Sequence, residues 1–168
     1  MQAGTSLEGG ASRMVTLNLG SGNVRLRERD VTLDANPLHR PDICAFVPPI
    51  PLKDMSLEGL WSSHFIEHLP DDVIPALMAE VWRVLKPEAR AEFIVPYAFS
   101  HGAIQDPTHR SQWVPEKFLY FSPHFASLGY GYEARFQVRS ARHNRDEVRV
   151  VLERRETLEP CACPWELG

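Results

Sequence analysis

The sequence has no run of about eighteen or more apolar residues, so nothing in it reads as a membrane-spanning helix. Basic charge is not in excess: 18 Lys and Arg stand against 22 Asp and Glu, a net charge of −4. Nucleic-acid binding calls for a basic face, so composition gives no case for such a partner. No basic stretch followed by an apolar one stands near the N-terminus, and no secretory signal is expected. Cysteine is scarce, with three in the chain. Cys44 lies in an apolar stretch and reads as a buried thiol. Cys161 and Cys163 lack a second Cys or His pair at zinc spacing, and no metal is expected there. With no disulfide framework in view, a reducing, cytoplasmic setting is the expectation.

What is present is an ordinary globular composition, 43% hydrophobic and 24% charged over 168 residues. That length suits one domain with one core. Residues 1–13 are small, polar and glycine-rich and read as a flexible tail; residues 14–155 read as the domain and 156–168 as a second tail. Apolar, β-branched runs predict strands over 14–19, 30–35, 42–47, 59–63 and 91–95. Ile74, Leu77, Met78, Val81, Val84 and Leu85 recur at three- and four-residue spacing, which predicts an amphipathic helix. Asp71 and Asp72 suit its N-terminus and Lys86-Pro87 its end. Residues 98–112 read as a polar loop, 115–121 as a short helix, and 133–140 with 147–154 as a hairpin. Strands alternating with crossovers predict an α/β, Rossmann-like, mostly parallel sheet with a C-terminal antiparallel hairpin and few helices.

An apolar strand, a glycine turn, a second strand and an acid form a nucleotide-binding arrangement. Glycines adopt positive φ and let the backbone approach a ligand. An acid at the end of the second strand can accept from a ribose diol. Gly20, Ser21, Gly22 and Asp34 stand in that order. A bare Gly-Ser-Gly also fits a simple turn between core strands.

Several segments, in order, resemble class I S-adenosylmethionine (SAM)-dependent methyltransferases, in particular the group known as methyltransferase type 11. They are LNLGSG (17–22), LDANP (33–37), LWSSHFIEHL (60–69), EVWRVLKP (80–87) and DPTHR (106–110). The resemblance implies SAM or S-adenosylhomocysteine as cofactor. It places Asn18, Gly20, Ser21 and Gly22 along the methionine moiety, Asp34 on the ribose, Ala45 and Phe46 at the adenine, and Ser63 near the transferred methyl group. It implies methyl transfer to an oxygen or nitrogen of a small-molecule or glycan-type acceptor. The alternative within the resemblance is a methyltransferase-like module kept for binding or assembly.

The chain departs from the family pattern in three places. Gly22 and Asp34 are only twelve positions apart, too few for the usual helix, so one sheet face is expected to be thinly covered by helices, with loops or a second copy of the chain over it. Ala45 stands where an acid usually meets the adenine. Glu88-Ala89-Arg90 replaces a glycine pair after Lys86-Pro87.

The histidines allow two readings. His64, Glu67 and His68 spell HxxEH, a zinc-peptidase signature when carried on one helix. Here His64 follows a predicted strand and Pro70 limits any helix, which disfavours it. His64, Asp106 and His109 are the candidate catalytic residues, with His64 or His109 taking an acceptor proton. Local capping by the Asp106-Pro107 turn is the competing explanation for the second loop, the polar stretch over 98–112. Trp113 reads as core or as a pocket wall.

Overall fold

The computed structural model describes residues 15–25, 30–123, 132 and 136–156. Seven strands form one sheet: β1 (Thr16–Leu19), β2 (Asp30–Asp34), β3 (Ile43–Cys44), β4 (Leu57–Ser63), β5 (Leu85–Pro96), β6 (Phe136–His143) and β7 (Glu147–Arg154). Their order across the sheet is β3-β2-β1-β4-β5-β7-β6. The first five strands pair in parallel and β7 runs antiparallel between β5 and β6. This is the expected architecture.

Strand register explains where the core lies. Leu17 sits beside Val31 and Leu60, Leu60 beside Ala91, and Ala91 beside Leu152. Side chains alternate between faces along a strand, so these residues share one face. Helix α1 (Ile74–Val84) buries Ile74, Leu77, Met78, Val81 and Val84 in the same cluster. Truncating a fully buried leucine such as Leu77 to alanine costs about 2–5 kcal/mol.

The opposite face is different in kind. Trp61 lies between Asn18 and Glu92, and Glu92 beside Val151. The Arg149 guanidinium stands 5.7 Å from the Trp61 ring centre and 3.3 Å from Glu92. Trp61, Glu92 and Val151 remain half-buried. Among the described residues no helix joins β1 to β2. A polar clamp takes its place there. Arg25 donates to the Asp30 carbonyl at 2.7 Å and to both oxygens of Asp42 at 2.9 and 2.7 Å. Asp42 also accepts from the Thr32 amide and hydroxyl at 2.8 and 2.9 Å. The Thr32 amide first, and then Arg25, hold the Asp42 carboxyl down at about 2.

Several expectations need correction. Asp71 and Asp72 do not cap α1; its N-cap is Val73, with no side-chain bond, and Pro75 sits in the first turn. Asp71 instead pairs with Lys117. Strand β5 begins at Leu85, directly after the helix, so no loop separates them. Strand β3 has two residues, and at that short sheet edge Cys44 is exposed, not buried. Trp113 is fully buried, 4.7 Å from the Phe118 ring centre, with its indole nitrogen donating to Ser111. It is core, not a pocket wall. The polar loop contains a short helix, α2 (His101–Gln105), capped by Ser100, whose side chain accepts from the Ala103 amide. Cys161 and Cys163 lie outside the described residues.

Candidate functional site

The glycine turn leaves β1 at the edge where the strand order reverses, the usual ligand crevice of an open α/β sheet. Gly20 and Gly22 have φ of +68° and +52°, values that favour glycine. The Gly20 and Ser21 amides both donate to the Leu33 carbonyl, at 2.9 and 3.1 Å. Asn18 is buried and its amide donates to the Val24 carbonyl at 2.9 Å, which folds the turn back on β1. Asn18 and Ser21 thus shape the turn from inside.

The two glycines do different work. A Cβ at Gly20 would fall 2.0 Å from Phe65 Cγ, whereas one at Gly22 would meet nothing within 4 Å. The space beside Gly20 therefore belongs to Phe65, and only Gly22 faces open space where a ligand can approach. Phe65 follows the end of β4, and its role had no signal in the sequence beyond its place after Ser63 and His64.

Asp34 ends β2 as expected. Its Oδ2 accepts from the Gly22 amide at 2.8 Å, and its Oδ1 from the Asn36 amide at 2.8 Å. His39 Nδ1 lies 3.1 Å from Oδ1. Partial burial raises the carboxyl's pKa, but the Asn36 and Gly22 amides and His39 outweigh it and leave it below the usual value. A carboxylate offers about four lone-pair positions, so this one keeps room on Oδ2 for one further donor. Beyond it, the Ala45 amide donates to the Asp34 carbonyl at 3.1 Å. Leu38 and Phe46, each 84% exposed, rise on the loops that follow β2 and β3.

The candidate catalytic residues fall into two groups beyond β4 and β5. His64 takes φ of +51° directly after β4, and its amide donates to the Ile94 carbonyl. Its ring stands between two acids, with Nδ1 3.5 Å from Glu67 Oε1 and Nε2 3.0 Å from Glu147 Oε1. The Glu67 carboxylate most of all, then Glu147, raise the imidazole's pKa against the effect of burial. Ser63 closes β4, half-buried, beside Ile94. Asp106 accepts from the Thr108 amide and hydroxyl at 2.8 and 2.6 Å, so the expected local turn does form. His109 Nδ1 lies 3.2 Å from the Ala103 carbonyl and its Nε2 3.8 Å from Asp106.

His64, Glu67 and His68 are not carried on a helix. A single 3-10 turn (Ile66–His68) follows the strand end, so the helical zinc-peptidase arrangement is absent. Instead the turn brings Glu67 and His68 to the second loop, where the His68 and His109 rings meet edge-on at 4.9 Å. Sequence reading linked these residues within each segment but not across the two.

No family model matches the chain, and no curated protein matches it in sequence. Its structure matches several solved ones. A SAM-dependent methyltransferase from Archaeoglobus fulgidus superposes with TM-score 0.61 at 16% identity, over 84% of this chain and 86% of that one. The Burkholderia thailandensis 1,6-didemethyltoxoflavin-N1-methyltransferase, solved with bound 1,6-didemethyltoxoflavin and S-adenosylhomocysteine, gives TM-score 0.59 at 13% identity, over 84% and 71%. The [4+2]-cyclase SpnF gives TM-score 0.63 at 13% identity, over 90% and 77%. Strand order, the glycine turn ahead of Asp34 and these superpositions agree on one conclusion: the chain has the fold of a class I SAM-dependent methyltransferase.

Proposed function

We propose that this chain binds SAM along Gly20–Gly22 and Asp34 and transfers its methyl group to an oxygen or nitrogen of a small-molecule or glycan-type acceptor. The observation that carries the proposal is the open space over Gly22, whose amide donates at 2.8 Å to the Asp34 carboxylate. In this reading Asp34 accepts from a ribose hydroxyl through its remaining Oδ2 position. Leu38 and Phe46 supply apolar surface for the adenine, in place of the acid that Ala45 lacks. Bound SAM would supply an electrophilic methyl group on a sulfonium. Transfer is then an in-line displacement, and the chain's contribution is to orient the acceptor and exclude water. His64 or His109 would take the acceptor's proton. A cytoplasmic setting belongs to the same proposal.

A second reading has its own support. Most of Asp34's lone pairs are taken by Gly22, Asn36 and His39, which suits a domain that binds SAM weakly and serves as a binding module. The fold also hosts chemistry other than methyl transfer, as the cyclase match illustrates. Thermal shift with SAM and S-adenosylhomocysteine, followed by a screen of acceptors with methyl-labelled SAM, tests both. Stabilisation plus label transfer supports the enzyme, stabilisation without transfer supports the module, and no shift at millimolar ligand rejects both.

A further inference from the structure

We propose that Glu67, His68 and His109 form a site for one divalent first-row transition-metal ion, with coordination positions left open toward the second loop. The inference departs from the sequence expectation of no metal, and it does not depend on SAM binding.

One ring nitrogen from each histidine and a carboxylate oxygen of Glu67 all lie within 4.8 Å of one another. Ligand atoms that share an ion at about 2 Å stand about 3–4 Å apart, so small side-chain rotations close the triplet. Glu67 is only 1% exposed, and among the described residues neither carboxylate oxygen has a hydrogen-bond partner. His64 Nδ1 approaches Oε1 at 3.5 Å, an ion-pair distance without hydrogen-bond geometry, and nothing answers Oε2. A buried carboxylate without donors calls for a cation.

Hydrogen bonding fixes both histidines in the tautomer that a metal needs. The Thr108 hydroxyl has a single proton, and Asp106 Oδ1, 2.6 Å away, can only accept it. His68 Nδ1, 3.0 Å from the same hydroxyl oxygen, must therefore donate, which in the neutral ring leaves a lone pair on its Nε2. His109 Nδ1 faces the Ala103 carbonyl at 3.2 Å, also as donor, and its Nε2 is likewise left with a lone pair. Each imidazole thus has an oxygen partner on one nitrogen and a lone pair on the other, the arrangement found behind metal-bound histidines.

The frame is rigid. The Glu67 carbonyl accepts from the Arg110 and Ser111 amides at 2.8 and 3.0 Å, and the Ser111 hydroxyl donates to the Ile66 carbonyl at 3.2 Å. These bonds hold the turn after β4 against the loop that carries His109. Two imidazoles and one carboxylate suit zinc, iron(II), manganese or cobalt better than magnesium or calcium. Three protein ligands leave room for water or an acceptor oxygen. Asp106 Oδ2, 3.8 Å from His109 Nε2, sets a second carboxylate at the rim. His64 is not among the ligands, so the site differs from the HxxEH peptidase arrangement in composition as well as in backbone.

The test is calorimetric titration of metal-stripped protein with Co²⁺ and with Zn²⁺, alongside the visible spectrum of the cobalt form. The titrated protein carries Cys44→Ser, Cys161→Ser and Cys163→Ser so that no thiol competes. One equivalent of metal is expected, with affinity reduced tenfold or more by His109→Ala and by Glu67→Gln, and by about tenfold in Thr108→Val, which frees the His68 ring. His109 lies on a loop, so its variant remains informative if Glu67→Gln does not fold. No stoichiometric binding at about millimolar metal, or affinity unchanged in His109→Ala, overturns the proposal. S-adenosylhomocysteine titrated into the same samples reads the cofactor site separately, so failure of one site is distinguishable from failure of the other.

Discussion

The Phe65 side chain occupies the space that any side chain at Gly20 would need, with Cγ 2.0 Å from an ideal Cβ there. The first glycine of the turn is thus required by the protein's own packing. Gly20→Ala combines a left-handed φ of +68° with this overlap. It is expected to destabilise the fold by about 2–4 kcal/mol, and Phe65→Ala in the same chain should recover part of that loss. Gly22→Ala meets no atom and should cost only about 1 kcal/mol. Urea unfolding of the wild type and the three variants measures all of these. Equal losses at the two glycines would contradict the division of roles.

Glu153, only 3% exposed, gathers three guanidinium groups: Arg139 Nη2 at 2.7 Å, Arg155 Nε at 2.7 Å and Arg90 Nε at 3.0 Å. Arg139 first, with Arg90 and Arg155, overcomes burial and holds its carboxyl down at about 2. A depressed carboxyl stabilises the fold fully above its unfolded value of about 4.3, and that stability fades as pH falls toward the folded value. Glu153→Gln should therefore cost about 2–3 kcal/mol at pH 7 and much less near pH 2. Thermal melts across that range check it; a pH-independent loss would speak against the account.

Glu88 adopts φ of +65° where the resembling family carries glycine. A non-glycine residue there costs about 1–2 kcal/mol, partly offset by the chain entropy that glycine adds to the unfolded state. The side chain is exposed and offers only a 3.2 Å pair with Arg155. Glu88→Gly should stabilise the protein by about 0.5–1 kcal/mol, read as a higher urea midpoint. A lower midpoint would mean that the turn needs its side chain.

What was legible in the sequence follows from how local each signal is. The apolar run at 16–19, the three- and four-residue spacing of α1 and the alternation in β7 each state their own periodicity, and the structure has all three. The place of Asp34 at the end of β2 was legible because a strand end is a local fact. Residues whose meaning depends on a distant partner were not legible. Asp71 looks like a helix cap until Lys117 arrives from the 3-10 turn at Pro115–Phe121, and Cys44 looks buried until β3 proves to be two residues at a sheet edge. Trp113 could not be placed between core and pocket without Phe118 and Ser111. The meeting of His68 with His109 depends on the Glu67 carbonyl binding two amides of the second loop, a contact that no spacing announces.

The most direct test of the functional account is calorimetry of S-adenosylhomocysteine binding to the wild-type chain and to Asp34→Ala, with circular dichroism to confirm that both are folded. The account predicts one site per chain in the wild type and affinity at least tenfold weaker in the variant, since a hydrogen bond to a carboxylate contributes about 1.5–3 kcal/mol. No binding by the wild type at millimolar ligand, or equal affinity in the two proteins, would contradict it.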